Sequence, residues 1–202
     1  MRLEPFTLRC RTVQLEPLDE SHAAALLHAA DADRSTFSYT MVPDDLPSMH
    51  TYIDGLLHDA AADAAVPFVQ RRLHDDTVVG CTRFLDMKWW NGPGAPAEVE
   101  IGGTWLATAA QRSAINSEAK LLLLDQAFDR WRVHRVAICT DARNERSRRA
   151  IERIGATFEG VLRNHRAAAG SASVSGTARD TACYSILPDE WPAIRDRLRG
   201  GT

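Results

Sequence analysis

Long apolar runs are missing from this chain of 202 residues. None approaches the roughly 20 apolar residues that a membrane-spanning helix needs, and no basic segment followed by an apolar one opens the chain. A soluble, cytoplasmic protein with no membrane partner is expected. Cysteine is scarce: Cys10, Cys81, Cys139 and Cys183 lie far apart, form no Cys-x-x-Cys pair and sit mostly in apolar, strand-like runs. They read as reduced core thiols. The seven histidines make no ligand-spaced cluster with one another or with cysteine, so no metal is expected. An excess of positive charge is absent too. The net charge is -3, which removes any global attraction to nucleic acid, and no nucleic-acid partner is expected. No internal repeat is present.

What the chain does have is enough apolar content, 45% of its residues, to fill one substantial core, so a single domain over residues 1–202 is expected. Alternation over 6–18 predicts an opening strand, and Asp19-Glu20-Ser21 then starts an alanine-rich helix to about Asp31. A turn over 44–47 precedes a second helix over 48–62. Strands over 66–73 and 77–86, joined at His74-Asp75-Asp76, read as a hairpin. A strand over 97–107, a helix over 116–130 and a strand over 135–140 follow, an alternation that packs a helix across a sheet. After them come a helix over 144–154, strands over 157–163 and 179–187, and a last helix through Arg199. Segments 91–96, with Trp89 and Trp90 at its start, and 167–178 carry Gly, Pro, Ser and Ala and read as loops.

Two helix starts carry chemistry. The helix after Gln111-Arg112-Ser113-Ala114 is strongly apolar, so the free backbone N–H groups at its beginning form an anion site to which Arg112 can add a full charge. A diphosphate suits it; a capped core helix beside a surface arginine is the simpler alternative. At the next start Asn144 is a candidate cap and Gly155 a left-handed terminator. Ser147, three residues past the cap, is not the Glu or Gln of a capping box, so its hydroxyl is open to another use.

The stretch from Glu98 to Trp191 resembles the GNAT superfamily of acyl-CoA-dependent N-acyltransferases, in its ribosomal-protein N-terminal acetyltransferase branch. The likeness rests on Glu100-Ile101-Gly102 with Thr104-Trp105-Leu106, Ile115-Asn116-Ser117-Glu118-Ala119-Lys120, and Asp141-Ala142-Arg143-Asn144-Glu145-Arg146-Ser147, in the family's order. Glu159-Gly160-Val161-Leu162-Arg163, Arg179-Asp180-Thr181 and the run from Tyr184 to Trp191 continue it.

The resemblance implies an α/β fold: a mixed, twisted sheet of about six to seven strands flanked by helices, with two parallel central strands that splay apart. Acetyl-CoA is the implied acyl donor, its pantetheine arm in the splay and its diphosphate on the loop formed by Gln111, Arg112, Ser113, Ala114, Ile115 and Asn116. This loop departs from the family pattern, because Arg112 and Ala114 stand where glycines are habitual. A positive φ at Ala114 would cost on the order of 1 kcal/mol. Glu100 is the implied base, its pKa raised by desolvation on a central strand, and Ser147 the hydroxyl that protonates the departing thiolate. Some relatives place a carboxylate base where Arg166 stands; His165 is next to it. Asn144 is implied as a cofactor contact, and Arg149 or Arg148 as a ribose-phosphate contact.

The expected reaction is transfer of an acetyl group to a primary amine, of a small molecule or a protein N-terminus, by direct attack in a ternary complex. A non-catalytic or weakly CoA-binding relative is one alternative, motivated by Arg112 and Ala114. Another is a donor such as succinyl-CoA, its carboxylate met by Arg166 or Arg163. The tryptophans at 89 and 90 are candidates for the acceptor pocket or for a homodimer contact.

Overall fold

The computed structural model describes residues 3–90, 92, 94–174 and 176–200; Asn91, Pro93 and Ser175, parts of the two loops expected from sequence, lie outside the described residues. Eight strands form one sheet in the order β1-β2-β3-β4-β5-β6-β8-β7. The count exceeds the six to seven expected because the opening segment breaks in two, β1 (Leu8–Arg9) and β2 (Val13–Pro17). The Cys10 N–H donates to the Val13 carbonyl (2.9 Å) and turns the chain back there.

The segment from Glu20 starts as a 3-10 turn and becomes α1 (Ala23–Asp31). α2 (Leu46–Ala61) is capped by Asp45, whose side chain accepts from the Ser48 N–H, with Pro47 in its first turn. Pro needs no N–H there. β3 (Ala65–Arg72) and β4 (Thr77–Lys88) form the expected hairpin, and β5 (Glu98–Leu106) pairs antiparallel with β4. α3 (Ile115–Asp125) continues as a π-helical turn over Gln126–Arg130. β6 (Arg135–Asp141) and α4 (Glu145–Ile154) follow, then β7 (Thr157–Ala167), β8 (Ala178–Ile186) and α5 (Trp191–Gly200).

The sheet buries both faces. Val99, Ile101, Val136, Ile138, Ala182 and Tyr184 face α3, α4 and α5 in one core. Alternation along each strand turns the intervening residues to the other face, where α1 and α2 pack over Val69, Cys81 and Trp105. Among the described residues no helix is long and apolar enough to cross a membrane.

Candidate active site

β5 and β6 are parallel neighbours that part company after three residue pairs, the last being Glu100 with Ala137. β6 keeps its ladder to β8 on its other side as far as Asp141 and Thr181, so the facing edges of β5 beyond Glu100 and of β6 beyond Ala137 carry unpaired backbone groups. Such groups need partners. The bend coincides with a bulge: the β4–β5 register shifts between Cys81 and Arg83, opposite Gly103 and Thr104. Gly103 has φ +56, and a Cβ there would lie 2.6 Å from the Arg83 guanidinium. Glycine is favoured at that bulge.

The loop over 111–116 closes the end of this gap. α3 starts without a side-chain cap from Ala114, and its first backbone bond runs from the Glu118 N–H to the Ala114 carbonyl (2.9 Å). The N–H groups ahead of it have no intrahelical acceptor. Ser113 Oγ takes one of them, from Ile115 (3.3 Å), while donating to the Ala110 carbonyl (2.6 Å). Asn116 lies inside the first turn. The expected strain is found two residues earlier than anticipated: Ala114 has φ -67, whereas Arg112 has φ +57. The Arg112 side chain is exposed, with no hydrogen bond or ion pair among the described residues. The Gln111 side-chain amide is engaged within the protein. Its nitrogen donates to the Leu106 carbonyl (2.9 Å) and Thr36 Oγ1 (3.0 Å), and its oxygen accepts from Arg146 (3.1 Å), which braces the loop against both neighbours.

α4 begins on the other side of the gap. The Asn144 side-chain oxygen accepts from the Ser147 N–H (3.1 Å), which makes Asn144 the cap, and Gly155 ends the helix at φ 102. The Ser147 hydroxyl is half-buried with no partner among the described residues. Arg148 turns inward, donating to the Tyr184 hydroxyl (3.0 Å) and lying over the Phe158 ring (5.3 Å). Arg149 is left as the outward cation, paired among the described residues with Glu145 at 3.5 Å.

Glu100 is buried, as anticipated, but not alone. Arg166 donates to both its oxygens (2.9 and 2.7 Å) and also to Asp86, so one fork ties β4, β5 and β7 together. These hydrogen bonds hold the guanidinium firmly in its charged form. Arg166, a candidate for a donor carboxylate, is thus already paired with two carboxylates of the protein. Cys139 is a neighbour; burial first and the Glu100 charge second push its thiol up. His165 is exposed. Trp90 stacks on His134 (5.4 Å, 7°) at the paired end of β5 and β6, away from the gap.

Sequence reasoning missed Lys120 and the role of Asp86. Lys120 Nζ donates to Thr104 Oγ1 (2.7 Å), which lies 2.8 Å from Thr82 Oγ1. The amine is buried with no carboxylate partner among the described residues, and burial lowers its pKa to about 7. A lysine inside the run Ala119-Lys120-Leu121-Leu122 was the available signal.

Comparison with known proteins agrees with this architecture. The acetyltransferase (GNAT) domain family matches residues 12–157. YdaF of Bacillus subtilis (strain 168), whose name assigns it to the ribosomal N-acetyltransferases, is 36% identical over 89 residues, 44% of this chain and 45% of YdaF; the chain thus spans under half the length of that relative. An acetyltransferase structure from T. thermophilus is 32% identical with a TM-score of 0.81, covering 100% of this chain and 99% of that one. RimJ of Mycobacterium smegmatis, solved in complex with CoA-disulfide, is 25% identical with a TM-score of 0.76, covering 98% and 95% of the two chains. A parallel pair opened beside a helix start with no side-chain cap from Ala114, in a chain matched over most of its length, belongs to the GNAT acetyltransferase family.

Proposed function

We propose that the protein transfers an acetyl group from acetyl-CoA to a primary amine, of a small molecule or a protein N-terminus, by direct attack in a ternary complex. The observation that carries this reading is the parting of β5 and β6 after Glu100 and Ala137, next to the helix start whose amides face outward. Both are complementary to one elongated ligand: strand-edge N–H and C=O groups suit the two amides of a pantetheine arm, and the helix start suits a diphosphate. Arg112 adds a charge-assisted contact to the diphosphate, and Arg149 is placed for a further phosphate at the start of α4.

Direct attack needs a deprotonated amine, and its proton must leave. Glu100 is the carboxylate at the mouth of the gap. Arg166 occupies it in the resting site, but Asp86 gives the guanidinium a second partner, so Arg166 can turn towards Asp86 while Glu100 receives the amine proton, directly or through water. On the opposite side Ser147 presents a hydroxyl that no described neighbour consumes, suited to protonating the departing thiolate. The test is release of CoA thiol from acetyl-CoA in the presence of an amine panel. Turnover that falls steeply in Glu100→Gln and Ser147→Ala supports these roles. Cofactor binding without any release would remove the reaction.

A further inference from the structure

Two polar groups on β8 are left without partners on the face that carries Glu100. Ala182, Tyr184 and Ile186 point into the core beneath α3, α4 and α5, so Arg179, Thr181 and Cys183 point to the other side of the sheet. Glu100 lies on that side as well, because Val99 and Ile101 face the same core. Thr181 stands opposite Asp141, and Arg179 opposite Arg166. The two arginines are therefore neighbours with different fates. Arg166 is matched by Glu100 and Asp86, whereas Arg179 makes no ion pair among the described residues. Its Nε is buried and unsatisfied, and so is the Thr181 hydroxyl. Burial first and the charge of Arg166 second weigh against its proton, and the nearby charges of Asp141 and Glu100 offset them only in part.

Buried polar groups without partners are costly, and a pair of them on one strand face calls for something that satisfies both. A carboxylate does so, accepting from a guanidinium and a hydroxyl together. Across the same face Glu100 and Asp86 exceed Arg166 by one negative charge. The site is thus bipolar, negative on the β5 side and positive on β8. We propose, resting on the acetyltransferase reading above, that Arg179 and Thr181 form a carboxylate-recognition subsite for the acceptor, so that the enzyme selects primary amines carrying a carboxylate a few bonds from the nitrogen. The amine is directed to Glu100 and the carboxylate to Arg179. Polyamines, cationic at both ends, are disfavoured by the same polarity.

Two peptides that differ in one group test this: Asp-Ala-Ala-amide and Asn-Ala-Ala-amide. The wild type is expected to favour the first by about tenfold in kcat/KM, the size of one charge-assisted contact, with the difference in KM. In Arg179→Gln the ratio between the two peptides falls to about one, Arg179→Lys keeps part of it, and Thr181→Val lowers it a few-fold. Because the Arg179 side chain makes no hydrogen bond or ion pair among the described residues, its substitution is expected not to lower the melting temperature. Calorimetry of the two N-acetylated products on CoA-loaded protein reads the subsite without turnover. Tighter binding of the aspartyl product, lost in Arg179→Gln, supports it even if neither peptide is acetylated, a result that would sink the transferase reading alone. Equal binding of the two products, or binding of neither, overturns the subsite.

Discussion

Helices α3 and α4 both start where a splayed strand ends, yet they begin in opposite ways. The start of α4 is satisfied by its own chain, with Asn144 accepting from Ser147 N–H and Gly155 closing the far end. The start of α3 has no side-chain cap from Ala114, is preceded by an arginine in a left-handed conformation, and carries a buried amine on its sheet-facing side. Helix stability alone would select the first arrangement. The second keeps donors free, as ligand binding requires, and the strain and the missing cap mark α3 as the place where stability has been given up for a site.

The contrast can be broken most forcefully at Lys120. Its folded-state pKa, about 7, lies below its unfolded value, so between the two the unfolded chain binds more protons and stability rises with pH. Below about 7 both states are charged and the slope vanishes. Lys120→Met, which gives α3 an apolar inner face like that of α4, is expected to remove this slope and to stabilise the protein near neutrality, by as much as several kcal/mol. Denaturant titrations from pH 6 to 10 measure both effects. A variant less stable than wild type at pH 7 would show that the Lys120–Thr104–Thr82 chain contributes more than the buried charge costs.

A smaller change converts one helix start into the other. Ala114→Asp supplies the missing acceptor and an anion at the positive end of α3, so a gain of about 1 kcal/mol in stability is expected. The same carboxylate meets the incoming diphosphate, and affinity for CoA should fall by about a hundredfold or more. Melting and calorimetry on one sample check the two signs together. The smallest effect is expected at Arg112. Gly there removes the left-handed penalty, about 1 kcal/mol, but also the charge. CoA affinity that rises in Arg112→Gly would mean that backbone strain matters more than the guanidinium, and affinity that falls would mean the reverse.

Local signals in the sequence reached far into this fold. The Asn144 cap, the Gly155 terminator, the β3–β4 hairpin and the β5-α3-β6 alternation each depend on residues within a turn or two, which is why they were legible. The misplaced strain shows the limit. Ala114 and Arg112 both occupy habitual glycine positions, and only the route of the backbone between β5 and α3 shows which of the two carries positive φ. Glu100 illustrates the same limit for electrostatics. Its position on a central strand predicted burial, but its partner stands 66 residues later on a strand that is not its neighbour.

By itself the sequence determined the order and type of the elements from β3 onward, the helix terminators and the family, because periodicity, caps and short motifs are local. The tertiary structure alone decided where β5 and β6 part, that Arg166 and not solvent covers Glu100, and that Arg179 and Lys120 make no ion pair among the described residues. Those outcomes depend on which side chains distant segments bring together and on how little water remains around them, and no pattern along a chain records either.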